Sequence, residues 1–355
     1  MEVVEKNIVH FVHWSKSGIT TLVDDIISSL NMFNFEILLL TGDAEDDQKI
    51  KRHKTTSLAK NGSTLEALFS LRNMRPKAGT IFHYHSLSPL LLGCLFFRKF
   101  KGIYHCHCMY PWLTDQSIKS RTKRALLKAA YQVLEFKSVC VSSEIRDVLQ
   151  NNLSIPTKYI PNGIENSGTQ RKPFLNSKFK EIKFYSVTRL DPEKKITLAI
   201  DMLDQVQKLM PQRKITFDIY GDGQERPAIE SHLNSRTGAD IRMKGYTQEA
   251  HNLPEHYDFY ISTSSQEGLS LSALQALRGK TPLFTTKVGQ IGLDIDDQKN
   301  GFLLDFNVDK SANRIFKGLS LSPGSLSKIQ NDAFNLYIEN YSADIFRREI
   351  QSIYS

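Results

Sequence analysis

The chain has few cysteines and tryptophans and no long hydrophobic run. Its 355 residues include four Cys and two Trp, and all four Cys lie in the first half, at positions 94, 106, 108 and 140. So few cysteines in a chain of this size do not form a disulfide framework. The longest near-continuous apolar run, 87–97, is interrupted by Ser88 and Pro89 and is too short to span a bilayer. We therefore expect a protein of a reducing compartment without a membrane-spanning segment.

The first residues also lack the features of a secretory leader. Glu2 and Glu5 precede strand-like residues, where a leader has a basic and then an apolar segment. The composition, 40% hydrophobic and 24% charged, excludes disordered and fibrous proteins. At about 100–200 residues per domain, the length predicts two domains. The expected location is the cytoplasm.

The net charge of +8 is unevenly distributed. Residues 72–137 carry twelve Lys and Arg against two acidic residues, a balance of +10 that exceeds the total for the whole chain. One helix-like stretch, with an apolar side predicted at Leu126 and Leu127, holds five of these basic residues: Lys119, Arg121, Lys123, Arg124 and Lys128. Such a stretch docks on anionic lipid or on a phosphorylated substrate, or it is a solvated helix face. The absence of RNP-like, zinc-finger and helix-turn-helix patterns argues against nucleic acid as the partner.

Short β-rich runs alternate with helix-like segments in both halves of the chain. In the first half, strands are predicted at 7–13, 35–40, 80–85, 102–107 and 138–141, and a helix at 22–30. In the second half, strands are predicted at 182–187, 215–220, 241–245, 259–262 and 281–285, and helices at 197–209 and 269–277. A polar stretch, 166–180, is typical of a linker. This alternation predicts two α/β domains with parallel sheets, whose ligand site is the cleft where the carboxyl ends of their strands meet.

Two loops of the second half carry residues suited to a phosphorylated ligand. Arg189 and Lys194 follow a predicted strand. The Arg189 guanidinium can donate two parallel hydrogen bonds to a diphosphate, and the Lys194 ammonium supplies a second positive charge. Glu267 and Gly268 precede a helix, whose first amides bind phosphate. On a helix, Gln275 lies about 12 Å along the axis from Glu267, so the two side chains reach opposite ends of an extended nucleotide-sugar. The alternatives are a surface loop, a helix cap and a surface glutamine.

Other reaction classes find less support in the sequence. Gly18, between the first strand and the first helix, lets amides approach an anion but is not the G-x-G-x-x-G fingerprint of a dehydrogenase. Histidines occur in pairs at 10/13, 83/85 and 105/107. Strand alternation places the histidines of 105–108 on one face and the cysteines on the other, whereas a zinc site needs ligands that converge from separate segments. We therefore predict no metal site, and the absence of G-x-S-x-G argues against a serine hydrolase.

The order of the motifs resembles the retaining nucleotide-sugar glycosyltransferases of the GT-B fold, family four. The family's R-L-x-x-x-K signature is present at 189–194, its G-D-G element at 221–223 and its hinge element, as N-G-I-E, at 162–165. Its E-G-x-x-x-x-x-x-E-A block is present as E-G-L-S-L-S-A-L-Q-A at 267–276. Gly289 and the segment 300–304 are similar to its next conserved segments. The resemblance implies an N-terminal acceptor-side domain (1–165), a nucleotide-sugar-binding domain (166–340) and a C-terminal helix that crosses back to the first domain (341–355).

The resemblance also implies roles for individual residues. Arg189 and Lys194 hold the diphosphate, and Glu267 contacts the donor sugar. Further donor-binding positions are implied in both halves: Gly18, His107, Tyr246, Gly268, Leu269, Ser270, Leu271 and Gln275. The chain departs from the family pattern at Gln275, which replaces a glutamate that accepts hydrogen bonds from the ribose. Loss of that charge weakens donor binding by about 1 kcal/mol. Ser270 replaces a common glycine, and Gly18 lacks a neighbouring glycine.

The implied activity is a retaining, metal-independent hexosyl transfer, without a cofactor. The donor is expected to be a UDP-sugar, and the acceptor a hydroxyl of a glycan or lipid-linked acceptor in surface polysaccharide synthesis, such as lipopolysaccharide or capsule. No glycosidase-like carboxylate pair is recognisable, so we expect same-face substitution in which the cations and the helix N-termini stabilise the leaving diphosphate. The basic stretch implies peripheral contact with the inner face of a membrane. The alternatives are an inactive GT-B subunit that stabilises a partner transferase and a GT-B sugar-nucleotide epimerase.

Overall fold

The chain divides into two α/β units. The computed structural model describes residues 6–14, 18–30, 32–43, 51–59, 64–166, 170–174, 180–236 and 238–355. The first unit comprises residues 1–162 together with 344–355, and the second comprises residues 163–343. Within the described ranges, no helix combines the length and the apolar character needed to cross a bilayer.

The first unit contains a sheet whose seven strands all pair in parallel, in the order β3-β2-β1-β4-β5-β6-β7. The strands are β1 (Asn7–Trp14), β2 (Asn34–Thr41), β3 (Thr55–Ser57), β4 (Ile81–Tyr84), β5 (Lys101–Cys106), β6 (Lys137–Cys140) and β7 (Thr157–Tyr159). The helices that connect them are α1 (Gly18–Ser29), α2 (Thr64–Asn73), α3 (Leu87–Phe96), α4 (Pro111–Thr114), α5 (Ile118–Leu134) and α6 (Ser143–Asp147), the last continuing as a π-helical turn (Val148–Asn152).

The second unit contains a six-stranded parallel sheet in the order β10-β9-β8-β11-β12-β13. Its strands are β8 (Glu181–Val187), β9 (Lys214–Tyr220), β10 (Asp240–Gly245), β11 (Phe259–Ser262), β12 (Leu283–Thr286) and β13 (Phe302–Leu304). Its helices are α7 (Ile196–Leu209), α8 (Arg226–Asn234), α9 (Leu271–Arg278), α10 (Gly289–Asp294), α11 (Val308–Leu319) and α12 (Pro323–Asn340), with 3-10 turns at Pro192–Lys194 and Ala250–His256.

The predicted α/β class with parallel sheets is confirmed in both units. The central strands are buried on both faces, which explains why their sequences are nearly continuous apolar runs. Three strands of three residues each, β3, β7 and β13, were not predicted, because three residues are too few to show a period. Part of the predicted linker, 167–169 and 175–179, lies outside the described residues, and 170–174 form neither helix nor strand.

The last helix, α13 (Ala343–Tyr354), contributes to the core of the first unit. Phe346, Ile350, Ile353 and Tyr354 are buried in one cluster with residues of β1, α1, β4, β5 and β6. Hydrogen bonds anchor the helix end, since the Lys6 ammonium donates to the carbonyls of Tyr354 and Ser355 at 3.0 and 2.9 Å. The segment that the family resemblance assigns to a returning helix is therefore part of the first unit.

Two glycines allow the loops after β8 and β9 to lie directly against each other. Gly221 has a φ of +134°, and a Cβ there would lie 1.8 Å from the carbonyl oxygen of Thr188. A Cβ on Gly223 would lie 2.6 Å from the carbonyl oxygen of Leu190, and the Leu190 amide donates to the Asp222 carbonyl at 2.9 Å. The G-D-G element thus positions the loop that carries Arg189.

We expect Gly221→Ala to destabilise the second unit by about 2–4 kcal/mol, because both the left-handed backbone and the carbonyl of Thr188 oppose a side chain there. Urea unfolding followed by circular dichroism measures the change. The matched control is Gly324→Ala in α12, where a Cβ meets nothing closer than 3.9 Å. Equal stability of the two variants would contradict the assigned role of the G-D-G element.

Candidate active site

The loop that carries Lys194 is fixed to the loop that precedes α9. The amide of Ser265 donates to the carbonyl of Glu193 at 2.7 Å, and the Thr263 hydroxyl lies 2.9 Å from the carbonyl of Lys195. The same hydroxyl lies 3.2 Å from the carbonyl of Lys194. Because β8 and β11 are neighbours in a parallel sheet, both loops leave the same edge, and these bonds set the position of Lys194.

Lys194 and Glu267 form an ion pair, although 72 residues separate them in the chain. The ammonium lies 2.7 Å from Oε1 of Glu267, and the two side chains are 12% and 18% exposed. The Ser264 hydroxyl donates to the same oxygen at 2.9 Å. Two donors therefore orient one carboxylate, so that both charges of the pair are held in place before a ligand binds.

Arg189 does not contact the Lys194–Glu267 pair. Its guanidinium lies 2.7 Å from Asp191 and 3.5 Å from Glu193, both on its own loop, and its side chain is 73% exposed. Ion pairs at this exposure contribute little free energy, so an anionic ligand competes readily for the guanidinium. The structure thus places two of the three expected catalytic residues together and leaves Arg189 at the surface of the second unit.

Helix α9 begins at Leu271, so Glu267 lies in the preceding loop and not on the helix. The expected helical spacing between Glu267 and Gln275 is therefore wrong. Ser270 is the N-cap of the helix, and its hydroxyl accepts a hydrogen bond from the Ala273 amide at 3.3 Å. The serine that replaces the family's glycine thus caps the helix.

A small cavity lies where the loop before α9 meets the start of α10. The ends of β11 and β12 and the first turn of α9 complete its lining: Ser262, Ser264, Glu267, Ser270, Ala273, Thr285, Thr286, Val288, Gly289, Gln290, Ile291 and Gly292. Gly289 has a φ of +65°, and a Cβ there would lie 2.6 Å from Cβ of Glu267. The Gln290 amide donates to the Gly268 carbonyl at 2.8 Å. Close backbone contact therefore brings the N-termini of both α9 and α10 beside Glu267, where their positive dipole ends favour an anion.

The remaining expected positions of the second unit are spread along this edge. Gly268 and Leu269 are buried beneath the loop. Gln275 is half-buried on α9, and its side-chain amide has no hydrogen bond to any residue that the structure describes. Tyr246 directly follows β10, and its ring is 76% exposed.

In the first unit, Gly18 is the first residue of α1, and His107 follows β5. Gly18 is therefore at a helix N-terminus, as expected, although residues 15–17 before it lie outside the described part. His107 is half-buried, and its Nε2 lies 2.9 Å from Nδ1 of His85. That contact is the last of a series that extends into the sheet.

Five histidines, on three adjacent strands of the first sheet or directly after them, form one cluster. The members, which we call the histidine cluster, are His10, His83, His85, His105 and His107. The parallel register of β1 and β4 places His10 beside His83. Burial lowers the pKa of His10 and of His107 to about 3, and it lowers the pKa of the other three well below 6.5.

The sequence prediction missed this cluster because each H-x-H pair was considered alone. The expectation that the histidines do not converge from separate segments is wrong. The available signal was the position of the pairs 83/85 and 105/107 at the ends of strands, since parallel neighbours place their carboxyl ends at one edge.

Comparison with known proteins assigns the chain to a class. Residues 16–167 match the family described as Glycosyltransferase Family 4, and residues 169–335 match Glycosyl transferases group 1. A crystal structure of Anabaena HepE in complex with UDP-glucose superimposes with a TM-score of 0.78 over 98% of this chain and 98% of that chain, at 16% identity. Two units with parallel sheets and this likeness define the GT-B fold. Within that class, the chain belongs to the glycosyltransferases of group 1 and family 4, which confirms the resemblance seen in the motifs.

Two curated relatives indicate the range of the family. One, the poly(ribitol-phosphate) α-N-acetylglucosaminyltransferase of Staphylococcus aureus, is 30% identical over 37% of this chain and 27% of its own length. Another, the UDP-Gal:α-D-GlcNAc-diphosphoundecaprenol α-1,3-galactosyltransferase of Escherichia coli, is 23% identical over 74% of this chain and 72% of its own length. The alignments with the first six relatives span between 21% and 30% of the length of those proteins.

We expect the free energy of unfolding to fall steeply as the pH drops from about 6.5 toward 4. The histidines of the cluster stay neutral in the folded state, whereas in the unfolded state they bind protons below about pH 6.5. Their contribution to the free energy of unfolding is therefore complete above pH 6.5 and is lost as the pH falls. Each histidine contributes a slope of about 1.4 kcal/mol per pH unit. Urea unfolding at several pH values measures the slope.

The matched variants are His105→Gln in the cluster and His256→Gln, whose side chain is 64% exposed. The first removes one buried titrating ring and reduces the slope, and the second leaves it nearly unchanged. Identical slopes for both variants and the unchanged protein would contradict the assignment of acid sensitivity to the cluster.

Proposed function

We propose that the chain is a retaining glycosyltransferase that moves a hexose from a UDP-sugar to a hydroxyl of a glycan or lipid-linked acceptor. The Lys194–Glu267 pair beside two helix N-termini is the observation that carries this proposal. It combines a fixed cation and oriented amides for a diphosphate with a carboxylate that accepts hydrogen bonds from sugar hydroxyls. Relatives whose names include UDP-sugars and polyol-phosphate or diphosphoundecaprenol acceptors support the choice of substrates.

The proposed chemistry rests on the departing diphosphate. As the bond between the sugar and the diphosphate breaks, negative charge grows on the phosphate oxygens, and Lys194, Arg189 and the first amides of α9 stabilise it. The backbone bonds between the two loops hold Lys194 and the loop before α9, so these groups need little reorganisation during the reaction. Arg189 has to exchange its exposed pairs with Asp191 and Glu193 for the phosphate. Glu267 holds the sugar ring, the acceptor hydroxyl attacks from the face that the diphosphate leaves, and the hydroxyl proton passes to the departing phosphate oxygen. In this scheme the leaving group needs no metal ion.

The other expected residues complete the donor site in this proposal. The amides of Gly268, Leu269, Ser270 and Leu271 face the phosphates, and Tyr246 lies near the base. Gln275 takes the place of the ribose-binding glutamate, with one acceptor and one donor in its side chain. In the first unit, the family resemblance implies Gly18 and His107 as further donor-binding residues. The competing interpretation, a subunit that has lost donor binding, rests on Gln275 alone.

We expect Lys194→Met to reduce turnover by about a hundredfold or more, because it removes one positioned charge from the leaving diphosphate. The assay is release of UDP from a panel of UDP-sugars in the presence of an acceptor. In parallel, a UDP-sugar at a hundred times its dissociation constant raises the stability of the unchanged protein by about 2.7 kcal/mol, visible as a melting shift.

The matched control is Lys195→Met, which removes the adjacent, exposed lysine of the same loop. It is expected to retain turnover and the melting shift. Equal loss in both variants would show a general charge effect. The absence of any melting shift with UDP, GDP and their sugars would overturn the transferase and favour an inactive subunit. UDP-sugar consumption without acceptor, yielding an isomeric UDP-sugar, would favour an epimerase.

Membrane contact through α5 is the second part of the proposal. Leu127 is buried against the unit, whereas Leu126 is 43% exposed, so the predicted apolar side formed by both residues is wrong. The solvent face instead carries Ile118, Leu126 and Val133, which are 83%, 43% and 55% exposed. At 100° per residue, Lys119 lies on one flank of this face, and Arg121 and Lys128 lie on the other. An apolar strip between two basic flanks is the pattern of helices that lie in a membrane interface.

The five basic residues of α5 are not equivalent. The Arg124 guanidinium donates to the backbone carbonyls of Trp112 and Asp115 at 2.7 and 2.6 Å, so it fixes α4 to α5. Lys123 is half-buried, whereas Lys119, Arg121 and Lys128 are exposed. Only these three are free to meet lipid headgroups without loss of structure.

We expect the triple variant Lys119→Ala, Arg121→Ala, Lys128→Ala to bind anionic vesicles about a hundredfold more weakly, since each basic residue contributes about 1 kcal/mol near the surface. Sedimentation with phosphatidylserine-containing vesicles at two salt concentrations is the measurement. The control removes equal charge from the second unit, by substituting the exposed Lys208, Lys310 and Lys317 with alanine. Equal binding by the two triple variants would remove α5 from the proposal.

A further inference from the structure

The histidine cluster contains two groups of three rings whose nitrogens lie within 4.8 Å of one another. One group, His10, His83 and His85, is fully buried. The other, His85, His105 and His107, includes the half-buried His107 at the end of β5. A divalent cation with three neutral ligands keeps its charge, and burial of that charge without water or an anion is costly. Only the second group offers an open side for a fourth ligand.

Each ring of the second group has one nitrogen that lies within 4.8 Å of a nitrogen of each of the other two rings. His85 Nδ1 and His107 Nε2 face each other at 2.9 Å. His105 Nε2 is buried and finds no hydrogen-bond partner among the residues described. The rings of His105 and His107 are close, with centroids 4.0 Å apart. A buried ring nitrogen without a partner is costly in a hydrogen-bonded network, and a ligand at that nitrogen removes the cost.

The opposite ring nitrogens of His85 and His105 are held by the other two histidines. His85 Nε2 lies 2.9 Å from His10 Nδ1, and His105 Nδ1 lies 3.2 Å from His83 Nε2. Such outer contacts orient the rings of metal-binding histidines and set which nitrogen carries the proton. The five rings thus divide into three ligands and two orienting residues.

Both branches of this network end at one phenol. His83 Nδ1 lies 2.7 Å from the Tyr354 hydroxyl, and His10 Nε2 lies 3.5 Å from it. If His85 and His105 bind a cation through the nitrogens named above, their remaining N–H groups donate outward. His10 and His83 then donate to Tyr354, whose oxygen has two lone pairs to accept them. Every ring nitrogen of these four histidines is then paired, which a chain of neutral imidazoles without a ligand does not achieve.

We propose that His85, His105 and His107 form a binding site for a late first-row divalent metal ion such as Zn²⁺, with water as the fourth ligand. Imidazole nitrogen is a preferred ligand for zinc, nickel and copper, and three histidines plus water is an established zinc geometry. At Zn–N distances of about 2.0–2.1 Å, tetrahedral ligand nitrogens lie about 3.3 Å apart, so the 2.9 Å contact opens by a few tenths of an ångström. The site lies entirely within the first unit and includes neither Lys194 nor Glu267.

The test uses the 355-residue chain, treated with a chelator and titrated with Co²⁺, whose visible absorption reports tetrahedral coordination. We expect one Co²⁺ per chain, displaced by one equivalent of Zn²⁺. We expect His107→Ala, which alters the most exposed ligand, to abolish the absorption. We expect Tyr354→Phe, which retains all three ligands, to weaken binding about tenfold, as other losses of an outer contact do.

Two controls separate this site from adventitious binding. The double variant His232→Ala, His256→Ala removes histidines of the second unit and is expected to bind Co²⁺ normally. The double variant Cys94→Ser, Cys108→Ser removes the two half-buried thiols and is also expected to bind normally. Circular dichroism shows whether each variant is folded. The proposal is overturned if the unchanged protein takes up no Co²⁺ at micromolar concentration, or if a folded His107→Ala protein retains the absorption.

Discussion

Parallel strand pairing is the constraint on which the rest of this structure depends. Every strand of both sheets runs in the same direction as its neighbours, so every loop that follows a strand leaves the same edge of its sheet. The Lys194 loop and the Glu267 loop meet for this reason, although they are distant in sequence. The histidines at the ends of β4 and β5 meet for the same reason. The chemistry of both units is therefore concentrated where the strands end.

For the strands that are buried on both faces, the bounds predicted from the sequence contain only small errors. Strand β11 was predicted with its exact bounds, and β8 and β9 differ by one residue each at their first end. The start of α9 was predicted two residues early, because Leu269 fits an apolar period although Ser270 is the cap that begins the helix. Local patterns thus define an element better than they define where its first turn begins.

The candidate site was predicted unevenly, for a physical reason. The pairing of Lys194 with Glu267 depends on the order of strands in a sheet, which periodicity does not reveal; only the motif order pointed to it. The histidine cluster has no counterpart among those motifs, and it emerges only from the register of β1, β4 and β5. The predicted apolar side of α5 is wrong for a simpler reason. Adjacent residues such as Leu126 and Leu127 point 100° apart on a helix, so they do not share one face.

The place of α13 has a consequence for how the chain folds during synthesis. Phe346, Ile350, Ile353 and Tyr354 belong to the core of the first unit, yet they leave the ribosome after the whole second unit. Until α13 has been synthesised, part of the apolar core of the first unit is uncovered, while the second unit already has its complete sequence. The second unit of a nascent chain is therefore expected to fold first, and the first unit needs protection from aggregation until α13 has left the ribosome.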